Sequence, residues 1–167
     1  MATAANRQQG WIWVGSEEHE IFLKIEGRAT HVVGPALKRC LVELESRGMR
    51  SFRLDLAACA LMDSTFLGVL ASTCLRLRDQ PGSRFVLEGV NGRNLDQLRT
   101  LGIAHLFEIH SEASPAPPVL HPLPLQPAST DSWAEVIGEA HDALARADAS
   151  NATRFQDVIQ LLVEHRR

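Results

Sequence analysis

The sequence has no tyrosine, three cysteines, and only two lysines among its seventeen basic residues. The absence of tyrosine limits any phosphorylation to serine, threonine, histidine or aspartate. Cys40, Cys59 and Cys74 form no C-x-x-C pair, and an odd number fits neither a disulfide framework nor a common zinc site. Because Cys40 and Cys74 lie among leucines, we expect them to be buried free thiols, with redox or reactive use as the alternative.

Long apolar runs are also missing. None approaches the roughly 20 residues that a membrane span requires, and residues 1–10 lack the apolar stretch of a signal peptide. The net charge is −3, divided into +1 through Ser111 and −4 from Glu112 onward, so there is no basic footprint for nucleic acid. We therefore expect a cytoplasmic protein that binds neither membranes nor nucleic acid.

Enzyme signatures are absent as well. The sequence contains no Walker A motif, no G-x-G-x-x-G and no G-x-S-x-G elbow. The histidines show no H-E-x-x-H or other paired spacing, and we expect them at the surface or at helix ends. They are His19, His31, His105, His110, His121, His141 and His165. We expect no enzymatic activity, no cofactor and no metal site.

What is present is the composition of a globular protein. The 167 residues are 45% hydrophobic and 22% charged, enough for one domain with a sizeable core. Six of the eight prolines lie between Pro115 and Pro127, where they exclude a helix interior or a central strand. Residues 112–130 are therefore predicted to be an extended spacer, with a docking ligand for an aromatic groove as the less favoured alternative.

Before the proline-rich stretch, residues 10–111 alternate between strand and helix patterns. The predicted strands are Trp11–Val14, Ile21–Ile25, Ser51–Leu56, Arg84–Glu88 and Phe107–Ile109, the first two joined through Gly15–Glu18. The predicted helices follow the apolar stripes Val33–Leu44 and Leu67–Leu77 and the short segment around Leu95 and Leu98. This order predicts an α/β fold with right-handed crossovers and a largely parallel sheet.

After the proline-rich stretch, residues 131–167 are predicted to form a C-terminal helical hairpin. Ser132 and Glu135 match a capping box, and apolar stripes follow from Trp133 to Leu144 and from Phe155 to Leu162. A hairpin alone buries too little surface, so the stripes need a cover. That cover is the first domain, a second copy of the chain in a homodimer, or another protein.

The most informative stretch runs from Leu54 to Leu70. The strand is expected to end near Leu56, and a loop then leads to a helix that starts at Asp63-Ser64-Thr65, all good residues for a helix start. The simplest interpretation is a helix N-cap. The functional interpretation is a hydroxyl presented at the positive end of a helix, where a phosphate would find free N–H donors beside the like charge of Asp63.

Residues 55–70, Asp-Leu-x-x-Cys-x-x-Met-Asp-Ser-Thr-Phe-Leu-Gly-Val-Leu, resemble the signature of STAS domains, the anti-sigma factor antagonists. The resemblance extends over residues 10–111. It implies a compact α/β fold with a mixed four- to five-stranded sheet and helices on one side. It also implies a bacterial, non-enzymatic regulator of transcription that switches partners. In such a protein Ser64 would be phosphorylated by an anti-sigma factor that is also a serine kinase. The unphosphorylated form would bind that kinase, and a Ser/Thr phosphatase would reset the switch.

The sequence departs from the family pattern at Phe66, where a small residue is usual. Phe66 is either an exposed contact residue or packed under the helix. Thr65 is a second candidate acceptor after Ser64, and residues 63–66 together form the predicted partner-binding site. The alternative function is a constitutive interaction module in a signalling or lipid-transport assembly, since related domains also occur there.

Overall fold

The computed structural model describes residues 9–126 and 129–164; the polar start of the chain, Pro127 and His165 lie outside them. The strands are β1 (Trp11–Glu17), β2 (Glu20–Ala29), β3 (Ser51–Met62), β4 (Arg84–Glu88), β5 (Glu108–Ile109) and β6 (His121–Pro122). The helices are α1 (Gly34–Ser46), α2 (Ser64–Leu77), α3 (Gly92–Thr100), α4 (Thr130–Ala147), α5 (Ser150–Arg154) and α6 (Gln156–Glu164). None of these helices is both long enough and apolar enough to cross a bilayer.

The described strands form one sheet in the order β5-β4-β3-β2-β1-β6. The two pairs that involve β1 are antiparallel and the other three are parallel, so the predicted mixed α/β sheet is confirmed with one strand more than expected. The β1–β2 turn is tighter than predicted because β1 continues to Glu17, which pairs with Glu20. Only Glu18, with a φ of 54°, and His19 remain between the two strands.

The expected loop after Leu56 is wrong, because β3 continues to Met62. The reason lies in β2, which is ten residues long and shifts register twice so that its last residues pair with Ala58–Met62. The small residues between Ala57 and Ala60 show no alternation of large apolar side chains, so the sequence pattern does not reveal this extension. The long strand carries the chain to Asp63, whose N–H donates to the Ala29 carbonyl at 2.9 Å.

The core lies between the sheet and the helices. Phe52, Leu54 and Leu56 alternate along β3 and are fully buried, as their spacing predicts. Helix α2 is buried on more than one face, since ten of its fourteen residues are inaccessible. A helix buried on several faces needs cover from more than the sheet alone, and α4 supplies it.

The proline segment, residues 112–126, crosses the other face of the sheet and is not a free spacer. Ser114 donates to the Glu88 carboxylate through its N–H at 3.0 Å and through its hydroxyl at 2.8 Å. Arg53 donates to the Pro115 carbonyl at 3.3 Å, and Pro117 is buried. The segment then adds β6 beside β1, an edge position that proline tolerates.

The C-terminal part contains three helices instead of the predicted two, because the segment after α4 is divided at Phe155 into α5 and α6. Helix α4 begins before the predicted capping box, and its N-cap is Ser129, whose hydroxyl accepts from the Ser132 N–H. Of the three proposed covers, the structure shows the first domain, since α4 packs along α2. The amide of the buried Asn151 donates to the Leu101 carbonyl at 2.7 Å and so ties α5 to the first domain.

The three cysteines are free thiols, with Cys59 and Cys74 buried and Cys40 half-buried. Burial raises the pKa of Cys59 to about 11 and raises the pKa of Cys74 and Cys40 as well. Because the thiolate is the reactive form, we expect iodoacetamide at neutral pH to label Cys40 well before the other two. Mass spectrometry of native and denatured chain checks this. Rapid native labelling of Cys74 would contradict its buried position.

Candidate functional site

The amino end of α2 is organised by Asp63. This residue is the N-cap, in extended conformation, and its Oδ1 accepts from the Phe66 N–H at 2.8 Å, so the N-cap interpretation is confirmed. Its Oδ2 accepts from the backbone N–H of His31 at 2.7 Å and lies 3.2 Å from the His31 Nδ1. Both carboxylate oxygens are therefore engaged, and the first turn of α2 is held against the loop before α1.

Ser64 is the first residue of α2 and is half-buried. Its Oγ lies 3.1 Å from Nε2 of His141, a residue of α4. The Nδ1 of the same ring lies 2.7 Å from the Ile137 carbonyl, which can only accept, so Nδ1 bears a proton. In the neutral imidazole Nε2 is then an acceptor, and the Ser64 hydroxyl donates to it.

His141 is 3% exposed, and its ring meets Phe155 edge-on with 4.7 Å between ring centroids. The expectation that the histidines are solvated or at helix ends is therefore wrong for this one. A signal was available in the sequence, since His141 follows Ile137 by four residues and precedes Leu144 by three on the apolar stripe of α4. A polar residue within such a stripe indicates a buried partner, and here the partner is Ser64.

Helix α4 approaches the backbone of α2 closely at Gly68. A Cβ on Gly68 would lie 2.3 Å from the Ala140 carbonyl oxygen and 2.6 Å from the Ala140 Cβ, so only glycine fits there. Before Ala140 in α4, Glu139 forms an ion pair with Lys38 of α1, and Trp133 meets the His31 ring edge-on with 4.8 Å between ring centroids. Helix α4 thus contacts Ser64 directly and Asp63 through His31.

The other two predicted site residues point into the protein. Thr65 is 5% exposed, and its methyl group lies beside Gly34 at the start of α1. Phe66 is 0% exposed and belongs to the core. Of the two interpretations of Phe66, the structure shows packing under the helix, and the side chain is not exposed for a partner contact. The structure therefore brings only Asp63 and Ser64 of the predicted four to the surface that α4 covers.

In chemical terms the site offers a serine hydroxyl at the positive end of a fourteen-residue helix, between one carboxylate and one imidazole. A helix amino end favours an added anion, while the charge of Asp63 opposes it. Within residues 9–126 and 129–164, no group of three or more His, Cys, Asp or Glu side chains could hold a metal ion.

Comparison with known proteins gives matches of two kinds, to a family model and to solved structures. The family model described as "Mlab, STAS domain" matches residues 12–108. Among solved structures, an anti-sigma factor antagonist from Mycobacterium paratuberculosis is similar with a TM-score of 0.52 and 20% sequence identity. That match covers 62% of this chain and 86% of the other. At this identity the structural likeness concerns the fold.

Among curated proteins, none shows significant similarity to the chain. The family match, however, covers more than half of the 167 residues and includes both Asp63 and Ser64. The structural match agrees with it at the level of the fold. The chain therefore belongs to the STAS-domain family.

Proposed function

We propose that the chain is an anti-sigma factor antagonist-like regulator that binds an anti-sigma serine kinase when Ser64 is unphosphorylated. The kinase would phosphorylate Ser64, and a Ser/Thr phosphatase would remove the phosphate. The observation that supports this most is the position of Ser64, whose hydroxyl begins α2 directly after the N-cap carboxylate of Asp63. In this proposal the chain regulates transcription in a bacterial cytoplasm and catalyses no reaction itself.

Phosphate at Ser64 would act mainly on binding. It adds a charge of about −1.5 to −2 at pH 7. A partner surface that closes over the phosphate must remove water from this charge, and that desolvation costs binding free energy. The neighbouring Asp63 carboxylate makes this burial more costly, because like charges repel. The helix dipole compensates in part as long as the phosphate stays solvated. The same group can therefore be tolerated by the folded chain and rejected by its partner.

The second candidate function is a constitutive interaction module in a signalling or lipid-transport assembly. Two observations favour it. The matching family model is described as "Mlab, STAS domain" rather than as an anti-sigma factor antagonist. In addition, the Ser64 hydroxyl is already engaged by His141 under α4. In such a module the surface at α2 would serve binding alone, without modification of Ser64.

Phosphorylation by a cognate kinase separates the two functions. We would incubate the chain with Mg-ATP and each anti-sigma serine kinase of its own organism, and locate phosphate by mass spectrometry. The switch predicts stoichiometric modification at Ser64, which Ser64→Ala abolishes and Thr65→Ala leaves intact, because Thr65 is buried beside α1. Phosphate on another residue, or none with any kinase, would favour the constitutive module.

A further inference from the structure

The surface of α2 around Gly68 is occupied by a helix of the same chain, and this contact differs in chemistry from the rest of the core. It combines a close backbone approach at Gly68 and Ala140 with a hydrogen bond from Ser64 to His141. An ion pair between Lys38 and Glu139 lies at its rim. This surface offers space at Gly68, a hydrogen-bonding hydroxyl at Ser64 and a positive charge at Lys38. It therefore suits a helix that presents complementary groups at the same three positions.

The contact lies on the residues where the proposed partner would bind. Ser64 is within hydrogen-bonding distance of α4, and Asp63 is connected to Trp133 of α4 through His31. A kinase cannot reach the Ser64 hydroxyl while the His141 ring is 3.1 Å from it. Transfer of a phosphoryl group to Oγ removes the hydroxyl proton and so breaks this hydrogen bond. Partner binding at Ser64 and docking of α4 therefore compete for the same hydroxyl group.

We infer that α4 is an intramolecular competitor for the partner of the Ser64 site, and that it imitates the helix by which that partner binds. The inference rests on the proposed function for the identity of the partner. The partner helix would present a small residue to Gly68, a hydrogen-bonding side chain to Ser64 and a carboxylate to Lys38. The closed chain is then autoinhibited, and release of α4 precedes both binding and modification.

In the closed form, α4 is docked on α2. The covalent connection of α4 to the rest of the chain favours this form. The helix is joined to the sheet through β6 on one side and, on the other, through α5, which Asn151 holds at the Leu101 carbonyl. A tethered segment has an effective concentration of the order of millimolar. A free competitor must exceed this before it displaces α4 from wild-type chain.

The experiment uses the full chain and a fluorescent peptide of residues 129–148 as the probe. Ala140→Leu enlarges α4 where it meets Gly68, so α4 should undock while the α2 surface keeps its sequence. Ala145→Leu, the same change at a half-buried position of α4, is the matched control. Hydrogen exchange should accelerate over residues 133–144 in Ala140→Leu only. By anisotropy, Ala140→Leu should bind the peptide at least about tenfold more tightly than wild type or the control.

Equal peptide binding by all three chains would overturn the inference, as would unchanged protection of α4 in Ala140→Leu. If Ala140→Leu fails to fold, changes to the exposed ion pair between Lys38 and Glu139 test the inference instead. Glu139→Lys should increase peptide binding by up to about fivefold, because it weakens the docking of α4 and leaves Lys38 free for Glu139 of the peptide. Lys38→Glu added to Glu139→Lys should restore the ion pair within the chain and bring peptide binding back to the wild-type level. Failure of Glu139→Lys to affect binding would likewise overturn the inference.

The kinase that modifies Ser64 separates this inference from the proposed function. We expect it to bind Ala140→Leu more tightly than wild type or Ala145→Leu, because no α4 has to be displaced. Equal affinity for all three chains would overturn the inference and leave the partner switch in place. Peptide binding by Ala140→Leu without binding of any kinase would contradict the partner switch, while the helix-binding surface would still be supported.

Discussion

Replacement of Phe66 by alanine is expected to lower the free energy of unfolding by about 3–5 kcal/mol. The side chain is 0% exposed and is one of the largest fully buried groups in the core. Its removal would leave a cavity under the first turn of α2, and the sheet and α1 can close it only in part. Denaturant unfolding followed by circular dichroism measures the loss as a shift of the midpoint at constant slope.

Phe66→Leu is the matched control, because it keeps an apolar side chain at this position and should cost much less stability than alanine. The pair also tests the two interpretations of Phe66 that the sequence leaves open. An exposed contact residue would lose partner binding on truncation with little change in unfolding. A Phe66→Ala chain as stable as wild type would contradict the buried position.

Replacement of Ser64 by aspartate is expected to weaken binding of the cognate kinase by at least about 100-fold, which corresponds to about 2.7 kcal/mol. The carboxylate would lie beside Asp63 at the start of α2, and a partner surface that closes over it would bury an unpaired charge. The change also removes the hydroxyl that donates to His141, and the helix amino end, which favours negative charge, offsets only part of that loss of stability. Titration calorimetry with the kinase that modifies Ser64 gives the affinity.

Ser64→Asn separates charge from size, since asparagine has nearly the shape of aspartate and no charge. We expect it to lose much less affinity than Ser64→Asp, and we expect Ser64→Ala to bind the kinase while resisting modification. Equal binding by Ser64→Asp and Ser64→Asn would show that shape rather than charge controls the site. That result would favour the constitutive module over the phosphorylation switch.

Local sequence patterns were sufficient to predict most of the strands and helices in residues 10–111. The alternation of Phe52, Leu54 and Leu56 predicted the central strand, and the stripes of α1 and α2 predicted the helices. The position of Ser64 followed from local chemistry too, because an aspartate before an apolar helix is a good N-cap. Such features depend on neighbours in sequence, and a single sequence contains that information.

The features that were missed depend on contacts between distant residues. Ser64 and His141 are 77 positions apart, and nothing local specifies that their helices meet. Gly68 and Ala140, where the two helices meet, belong to no recognisable sequence motif. A glycine inside an apolar helix such as α2 does, however, indicate that another chain segment approaches closely. The proline segment was predicted to be a spacer because proline opposes regular structure. In the structure it is bound to Glu88 and Arg53, on the face of the sheet that the helices do not cover.

The two-residue strand β6 also bears on how the chain avoids self-association. Strand β1 has seven residues, two of them tryptophans; one edge pairs with β2, and β6 pairs with Trp13 and Val14 on the other edge. Leu123 donates its N–H to the Ile12 carbonyl at 2.8 Å, and Pro122 beside it has no N–H to present outward. The opposite edge, β5, is only two residues long. Short edge strands, and a proline at the end of one of them, disfavour pairing of the sheet edge with another molecule. We therefore expect the proline segment to limit aggregation of the folded protein.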